Sequence, residues 1–395
     1  MKIGVVTFWY NNYGSMLQCF ATCRALHARG YEPIVLQRRE QSLWGRAKRR
    51  LRYRILLRIF RLMDRELDQD FRWLAANPAR PEAYDPAPYR AAIERFARAS
   101  MDVQELSFSQ LRRRARKKEL AACLCGSDQI FSSDFFVPDP FYFLCFAPRK
   151  KRFAMAPSFG SGHIYKGARR NCALYLQQMA LLSCREPDGA AQMRDLTARK
   201  DIPCLIDPVL QFDGAEWRQI LRSYGGDASA YAGCTAAFFL DAPCPEALSH
   251  LTKAADAGRR ILVPACLHPQ LTALPGAQPC TPDPMQWLAI LDGAAEVCTD
   301  SYHAMLFCSL FHTSFLVFDR QYRSPRSQAP RIRHFLQMTG LEARFVTAFP
   351  PPKPLFDADF AQSDAVLAAA RGDMAQYWDK IERKISENRK KHTET

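Results

Sequence analysis

The sequence contains no stretch approaching the ~18 consecutive apolar residues that a membrane-spanning helix needs, so a spanning helix is excluded. It has no Cys-x-x-Cys pair, although cysteine itself is plentiful at 14. Cys19, Cys123, Cys125, Cys234, Cys266 and Cys308 sit in apolar stretches, where reduced, buried thiols are expected rather than disulfides. Cys19 and Cys23 stand one helical turn apart, a poor metal signal on its own, and no metal is expected. Internal repeats and low-complexity tracts are missing, and a composition 48% hydrophobic and 24% charged excludes wholesale disorder, collagen and coiled coil. The opening Met1-Lys2-Ile3-Gly4-Val5-Val6-Thr7-Phe8 lacks a basic region followed by an apolar stretch and a cleavage site, so no secretory signal is expected. Acidic residues are in deficit: 40 Asp and Glu face 55 Lys and Arg, a net charge of +15. That balance admits nucleic acid, anionic lipid or small anions as partners.

The 395 residues are long enough for two domains at ~100–200 residues each, or for one domain with a long insertion. Ile3 to Phe8 reads as a strand, Tyr10 to Ser15 as a turn, Met16 to Arg29 as a helix stopped by Gly30, and Pro33 to Leu36 as a second strand. This βαβ unit predicts a parallel α/β sheet. Further strands are expected at 120–125, 152–156 and 180–186, and 204–210 closes the first unit. A second α/β unit is expected from about 216, with strands at 236–240, 261–264, 294–299 and 315–318, and a polar-ended helix over 363–391. The domains are accordingly set at 1–215, 216–360 and 361–395.

A basic segment interrupts the first unit at about 42–118. From Arg46 to Arg72 ten Lys and Arg face four acids, and Trp44, Leu51, Ile55, Ile59, Leu62, Leu67, Phe71 and Leu74 recur at mostly helical intervals. The spacing predicts one helix over 44–74. Its apolar stripe includes Trp44, Phe60, Phe71 and Trp73; Arg49, Arg50, Arg52, Arg54, Arg58, Arg61 and Arg65 form its other face. Two readings follow: peripheral contact with an anionic membrane, or a stripe packed on the domain under a solvated basic face.

Several strands end in polar clusters, the place where ligands sit in open α/β sheets. Asn12-Tyr13-Gly14-Ser15 joins a strand to a helix. It is neither Gly-x-Gly-x-x-Gly nor a P-loop, and is either an anion-favouring helix start or a capped tight turn. Thr299-Asp300-Ser301-Tyr302-His303 places a histidine at the start of an apolar helix, whose N-terminus should keep the ring neutral and able to exchange protons. The plain alternative is a core histidine bonded to Asp300. Arg185 is either half of an Arg–Glu pair with Glu186 or an anion clamp; Asp128 and Asp207 are substrate acids or helix caps.

Taken together, Asn12–Gln18, Gly126–Phe131, Ala156–Gly160, Ser183–Glu186, Ile206–Leu210, Thr299–His303 and Arg331-Ile332 resemble the polysaccharide pyruvyl transferase family. Phe131 and Ser132 stand where the family usually has Trp-Asn, Tyr302 where Phe is usual, and Ala304 where Gly is usual. The resemblance implies two Rossmann-like domains similar to the GT-B glycosyltransferase fold, with the active site in the interdomain cleft. It implies phosphoenolpyruvate as donor, a sugar or lipid-linked glycan as acceptor, a pyruvate ketal as product, and no cofactor, metal or nucleic acid. His303 would then be the general acid/base and Arg185 the donor-anion ligand. Asn12, Gly14 and Ser15 would line the cleft. Asp128, Gln129 and Ser158 would orient the sugar, with Asp207, Asp300 and Ser301 beside them and Arg320 and Arg331 as further anion ligands. The expected location is the cytoplasm, including the inner face of the membrane. Two other readings stay open: a GT-B glycosyltransferase using a nucleotide sugar, and a non-catalytic basic module for membrane or nucleic acid.

Overall fold

The structure, a computed structural model, describes residues 1–10, 12–39, 43–77, 87–117, 119–132, 136–265, 268–320, 329–346 and 359–393. Asn11, Ser42 and Cys266 lie outside them, as do the side chains of Trp44, Arg46 and Arg49. The first half builds a sheet from β1 (Lys2–Val6), β2 (Glu32–Arg38), β3 (Val103–Leu106), β4 (Ala122–Gly126) and β5 (Arg152–Met155), in the order β3-β2-β1-β4-β5. The second uses β6 (Thr235–Phe238), β7 (Ile261–Pro264), β8 (Ala277–Cys280), β9 (Glu296–Thr299), β10 (Phe315–Phe318) and β11 (Phe345–Val346), in the order β11-β10-β9-β6-β7-β8. Every pairing is parallel. With β6 counted as first strand, the second order is 3-2-1-4-5-6 and the first is its five-stranded counterpart, the doubly wound Rossmann order. Ile3, Val5 and Val6 are fully buried because helices cover both faces, which is why β1 reads as an unbroken apolar run.

The helices of the first half are α1 (Tyr13–Ala28), α2 (Leu43–Met63), α3 (Arg65–Ala76), α4 (Ala87–Ser100), α5 (Phe108–Arg116), α6 (Lys166–Leu176) and α7 (Pro187–Thr197). Then come α8 (Gly214–Ser223), α9 (Pro245–Asp256), α10 (Pro269–Thr272), α11 (Pro284–Gly293), α12 (Tyr302–Phe311), α13 (Ala329–Thr339) and α14 (Ala361–Thr393). The halves are cemented by aromatics. Tyr13 stacks on Trp287 at 5.1 Å between centroids and donates from its hydroxyl to the Pro282 carbonyl at 2.6 Å. The last helix returns to the first half, where the Tyr377 hydroxyl donates to the β5 carbonyl of Ala154 at 2.7 Å and Trp378 Nε1 donates to Gln211 Oε1 at 2.6 Å.

Three expectations need correction. Residues 180–186 form no strand: only isolated bridges pair Phe153 with Leu181 and Cys184 with Cys204, and Pro203 has no N–H with which to extend a ladder. Within 42–118 lies β3, the edge of the first sheet, whose alternating and half-buried Val103-Gln104-Glu105-Leu106 carries no long apolar signal. The single basic helix over 44–74 is two helices. Asp64 is extended (φ −137°, ψ 101°), buried, and caps α3 by accepting the Leu67 N–H at 3.3 Å. A carboxylate in that role stabilises a new helix start by about 1 kcal/mol, enough to favour a break over continuation.

Candidate active site

In a Rossmann sheet the crevice opens where strand order reverses, between β1 and β4 in the first half and between β6 and β9 in the second. At the first reversal α1 starts directly after β1. Asn12 caps it, its Oδ1 accepting the Ser15 N–H at 2.9 Å, and the Ser15 hydroxyl donates to Asp128 Oδ2 in the loop after β4. Asp128 adopts a left-handed backbone (φ +62°), which aspartate tolerates better than most residues, and its Oδ1 accepts the Gln129 N–H at 2.8 Å. At the second reversal Ser301 caps α12 by accepting the Ala304 N–H, and Tyr302 and His303 form its first turn.

These helix starts meet. A Cβ on Gly14 would fall 2.3 Å from both Cγ and Nδ1 of His303. Glycine is required there because the imidazole of the second half lies on the α1 backbone of the first. His303 is buried, and its Nε2 sits 3.4 Å from Asp207 Oδ2 with no hydrogen-bond partner among the described residues. The sequence alternative of a partnership with Asp300 is therefore replaced: the carboxylate beside His303 belongs to Asp207.

Asp207 is fully buried and heavily bonded. Its Oδ2 accepts from Arg185 Nη1 at 2.7 Å and from the Ser127 hydroxyl at 3.2 Å, and its Oδ1 accepts the Val209 N–H at 3.1 Å. Burial alone would raise its carboxyl, but His303, Arg185 and the Val209 N–H outweigh burial and hold it well below the usual carboxylate range. Arg185 in turn gives Nε to Glu186 Oε1 at 2.9 Å, while its Nη2 is buried without a hydrogen-bond partner among the described residues. Its guanidinium lies 4.7 Å from the centroid of the Tyr302 ring, and Arg331 lies 5.2 Å from the same centroid. Burial, then the neighbouring Arg185 and Arg320, push the Arg331 guanidinium down to about 10.

The remaining sequence candidates serve the frame. Asp300 accepts the N–H groups of Leu240 (2.7 Å) and Asp241 (3.0 Å) and pairs with Arg320 Nε at 3.1 Å, tying β9 to the loop after β6. Ser158 is buried, with Oγ accepting the Gly160 N–H at 2.9 Å, and Gln129 packs against Gly160 in the same loop. Sequence reasoning missed Ser127, which sits in the Gly126–Phe131 segment, and the ring of Tyr302, to which only the departure from phenylalanine drew notice. Among the described residues the group able to gather round a metal ion is His250, Glu296 and Cys298, at the amino end of β9, away from His303. His250 there pairs with Glu296 at 3.0 Å.

The arrangement is an imidazole beside a buried carboxylate, with two arginines round an aromatic ring, placed where the two halves meet. Residues 12–322 match the family described as polysaccharide pyruvyl transferase. The chain belongs to that family. Membership makes it a transferase of polysaccharide biosynthesis. No curated protein matches the chain. Among solved structures it is similar to the UDP-GlcNAc 2-epimerase of Neisseria meningitidis bound to UDP-GlcNAc, at 11% identity over 93% of this chain and 99% of that one, TM-score 0.45. It is also similar to Anabaena HepE in complex with UDP and glucose, at 10% identity over 99% and 100%, TM-score 0.45. A third is Arabidopsis thaliana UGT89C1 complexed with UDP, at 11% identity over 98% and 99%, TM-score 0.44.

Proposed function

We propose that the crevice between the two sheets is the active site and that this pyruvyl transferase uses phosphoenolpyruvate as donor and two hydroxyls of a sugar as acceptor. The observation that carries the reading is the contact between His303 and Gly14, with Nε2 unpartnered beside the buried Asp207–Arg185 pair. A small donor bearing a phosphate and a carboxylate calls for guanidinium donors, for which Arg185 Nη2 and the neighbouring Arg331 serve, and for backbone N–H groups at the start of α1.

The chemistry follows from the donor. His303 delivers a proton to the methylene carbon, which becomes a methyl group, while one sugar hydroxyl adds to the adjacent enol carbon and passes its proton back to the imidazole. Loss of inorganic phosphate from that carbon leaves an oxocarbenium centre, and the second hydroxyl closes the ketal as its proton passes to the departed phosphate. One imidazole suffices for both transfers, taking a hydroxyl proton in one step and giving one in another. Arg185 and Arg331 stabilise the departing phosphate, and the Asp207 carboxylate, 3.4 Å from Nε2, stabilises the ring while it carries the proton. The acceptor is a cell-surface glycan or its precursor, and the site of action is the cytoplasm.

Phosphate release from phosphoenolpyruvate, measured against nucleotide-linked and lipid-linked saccharides, tests the reading. Acceptor-dependent release that disappears in His303→Ala supports it. No release with any acceptor, together with a thermal shift on adding a nucleoside diphosphate instead, would transfer the site to nucleotide-sugar chemistry.

A further inference from the structure

Of the large apolar side chains exposed on the described surface, most cluster on one element. Leu51 is 60% exposed, Ile55 50%, Ile59 45%, Leu62 89% and Met63 71%, all on α2. Intervals of four, four and three put Leu51, Ile55, Ile59 and Leu62 on a single stripe, with Met63 at its edge. Leu51, Ile55, Ile59 and Leu62 belong to the stripe expected from the sequence, whereas Phe60 and Leu67, expected with them, turn inward. Phe60 is buried, its ring 3.0 Å from where a Cβ on Gly167 of α6 would sit, and Leu57 is buried with it. Phe71 lies under Arg61 at 4.1 Å. At 3.6 residues per turn, Leu57 and Phe60 lie on the opposite side of the helix from the exposed stripe. The helix therefore has two apolar faces, one spent on the domain and one turned to solvent. A soluble surface seldom keeps so continuous an aliphatic row without a use for it.

The flanks are basic. Arg58 borders the stripe on one side with Arg54 next to it, and Arg52 lies at the other edge between Ile59 and Met63, all exposed. The nearby acids are engaged elsewhere: Asp64 caps α3, and Asp68 pairs with Arg61 and Arg72, each at 2.7 Å. We propose that this face of α2 lies in the surface of an anionic bilayer, with Leu51, Ile55, Ile59, Leu62 and Met63 among the upper acyl segments and the flanking arginines at the lipid phosphates.

Charge decides against a second copy of the chain as occupant. An isologous contact through this face would bring two sets of arginines together with no free acids between them, and like charges so placed repel. Aliphatic side chains with no groove or aromatic anchor among them also suit a fluid phase better than a shaped partner. The location fits a lipid-linked acceptor, yet vesicle binding is read without turnover, so its outcome is separate from that of the donor assignment.

The test is co-sedimentation of the full chain with phosphatidylcholine vesicles, with and without about one-third phosphatidylglycerol. Binding to the anionic vesicles alone is expected, reduced by ~0.5 M salt. Ile55→Ser with Ile59→Ser and Leu62→Ser should weaken partitioning at least about tenfold at low salt while phosphate release from a soluble acceptor is unchanged. Arg52→Gln with Arg54→Gln and Arg58→Gln should do the same, whereas Arg113→Gln with Arg116→Gln on α5 should not. Equal recovery of the native chain in the supernatant with both vesicle types overturns the proposal. So does unchanged binding of the triple serine variant, which would reduce the effect to adsorption of a basic protein. A concentration-dependent dimer that the serine variant abolishes, without vesicle binding, would assign the face to contact between copies.

Discussion

The two strand-order reversals share one topology and are furnished differently. At the first, the residues entering the crevice are small: Gly14, Ser15 and Ser127, with Asp128 held by Ser15. At the second they are large: Tyr302 and His303 on the first turn of α12. One side supplies backbone and room; the other supplies the ring that fills it. The cluster exists only when the halves are docked, because His303 rests on a glycine of the other half and lies 3.4 Å from Asp207, which precedes α8. It is thereby preorganised by packing rather than by its own loop.

The sharpest way to break the comparison is to give the small side a side chain. Gly14→Ala places a Cβ inside contact distance of the His303 ring, so the ring or the docking of the halves must move. Turnover is expected to fall by at least ~10³-fold and thermal stability to drop, as overpacking of a tight interface usually costs about 1–3 kcal/mol. His303→Ala should lower turnover ~10²–10⁴-fold with little change in melting temperature. The double variant tells the two apart: removing the ring should restore the stability lost in Gly14→Ala, without restoring turnover. If the double variant is as unstable as Gly14→Ala, the clash does not control the interface.

Next in size is the buried pair. Arg185→Ala leaves Asp207 and Glu186 uncompensated and is expected to destabilise by ~3–5 kcal/mol, read by urea unfolding. Arg185→Lys keeps a cation near Asp207 but loses the Nε bond to Glu186 and the flat contact with Tyr302. Its larger effect should be a raised KM for phosphoenolpyruvate. A Lys variant with wild-type KM would confine Arg185 to structure.

Asp207 adds a pH dependence. Its carboxyl is held below the unfolded value of ~3.9, so its contribution to stability is fully present above that pH and is lost as pH falls toward the folded value. Acid unfolding of the native chain should steepen below about pH 4, and Asp207→Asn should remove that segment of the profile. An unaltered acid limb in the Asn variant would mean that the Arg185–Asp207–His303 contacts do not govern it.

How much of this was legible beforehand depends on burial. β1, β7 and β10 are covered on both faces, so their apolar runs are unbroken and fall where the sequence put them. β3 and β8 lie at sheet edges, and Ala277-Gln278-Pro279-Cys280, paired with β7, carries no apolar run to announce a strand. For the site, residue types and strand ends pointed to His303, Arg185, Asp128 and Asp207. Which carboxylate faces the histidine was out of reach, because Asp207 and His303 belong to different halves and only docking brings them together. The apolar recurrence of α2 was legible in Leu51, Ile55, Ile59 and Leu62, but not that this face meets solvent. A helix apolar on two sides gives one blurred period, and only the packing of Phe60 on α6 shows which side is spent.

The smallest expected effect tests the large side of the comparison from the direction of charge. Arg331 is buried, lies over Tyr302 opposite a second arginine relationship with Arg185, and has its guanidinium pushed down to about 10. A cation whose folded value is lowered opposes folding at neutral pH, and stability rises with pH only above about 10, as the folded group gives up its proton first. A bound dianion would relieve this repulsion, whereas an apolar residue of similar length removes it outright. Arg331→Met is therefore expected to match or slightly exceed the native melting temperature without ligand, and to lose most of the upward shift that phosphoenolpyruvate or inorganic phosphate gives the native chain. A Met variant that melts lower and keeps the full ligand shift would make Arg331 a structural brace. The anion would then rest on Arg185 and the start of α1 alone.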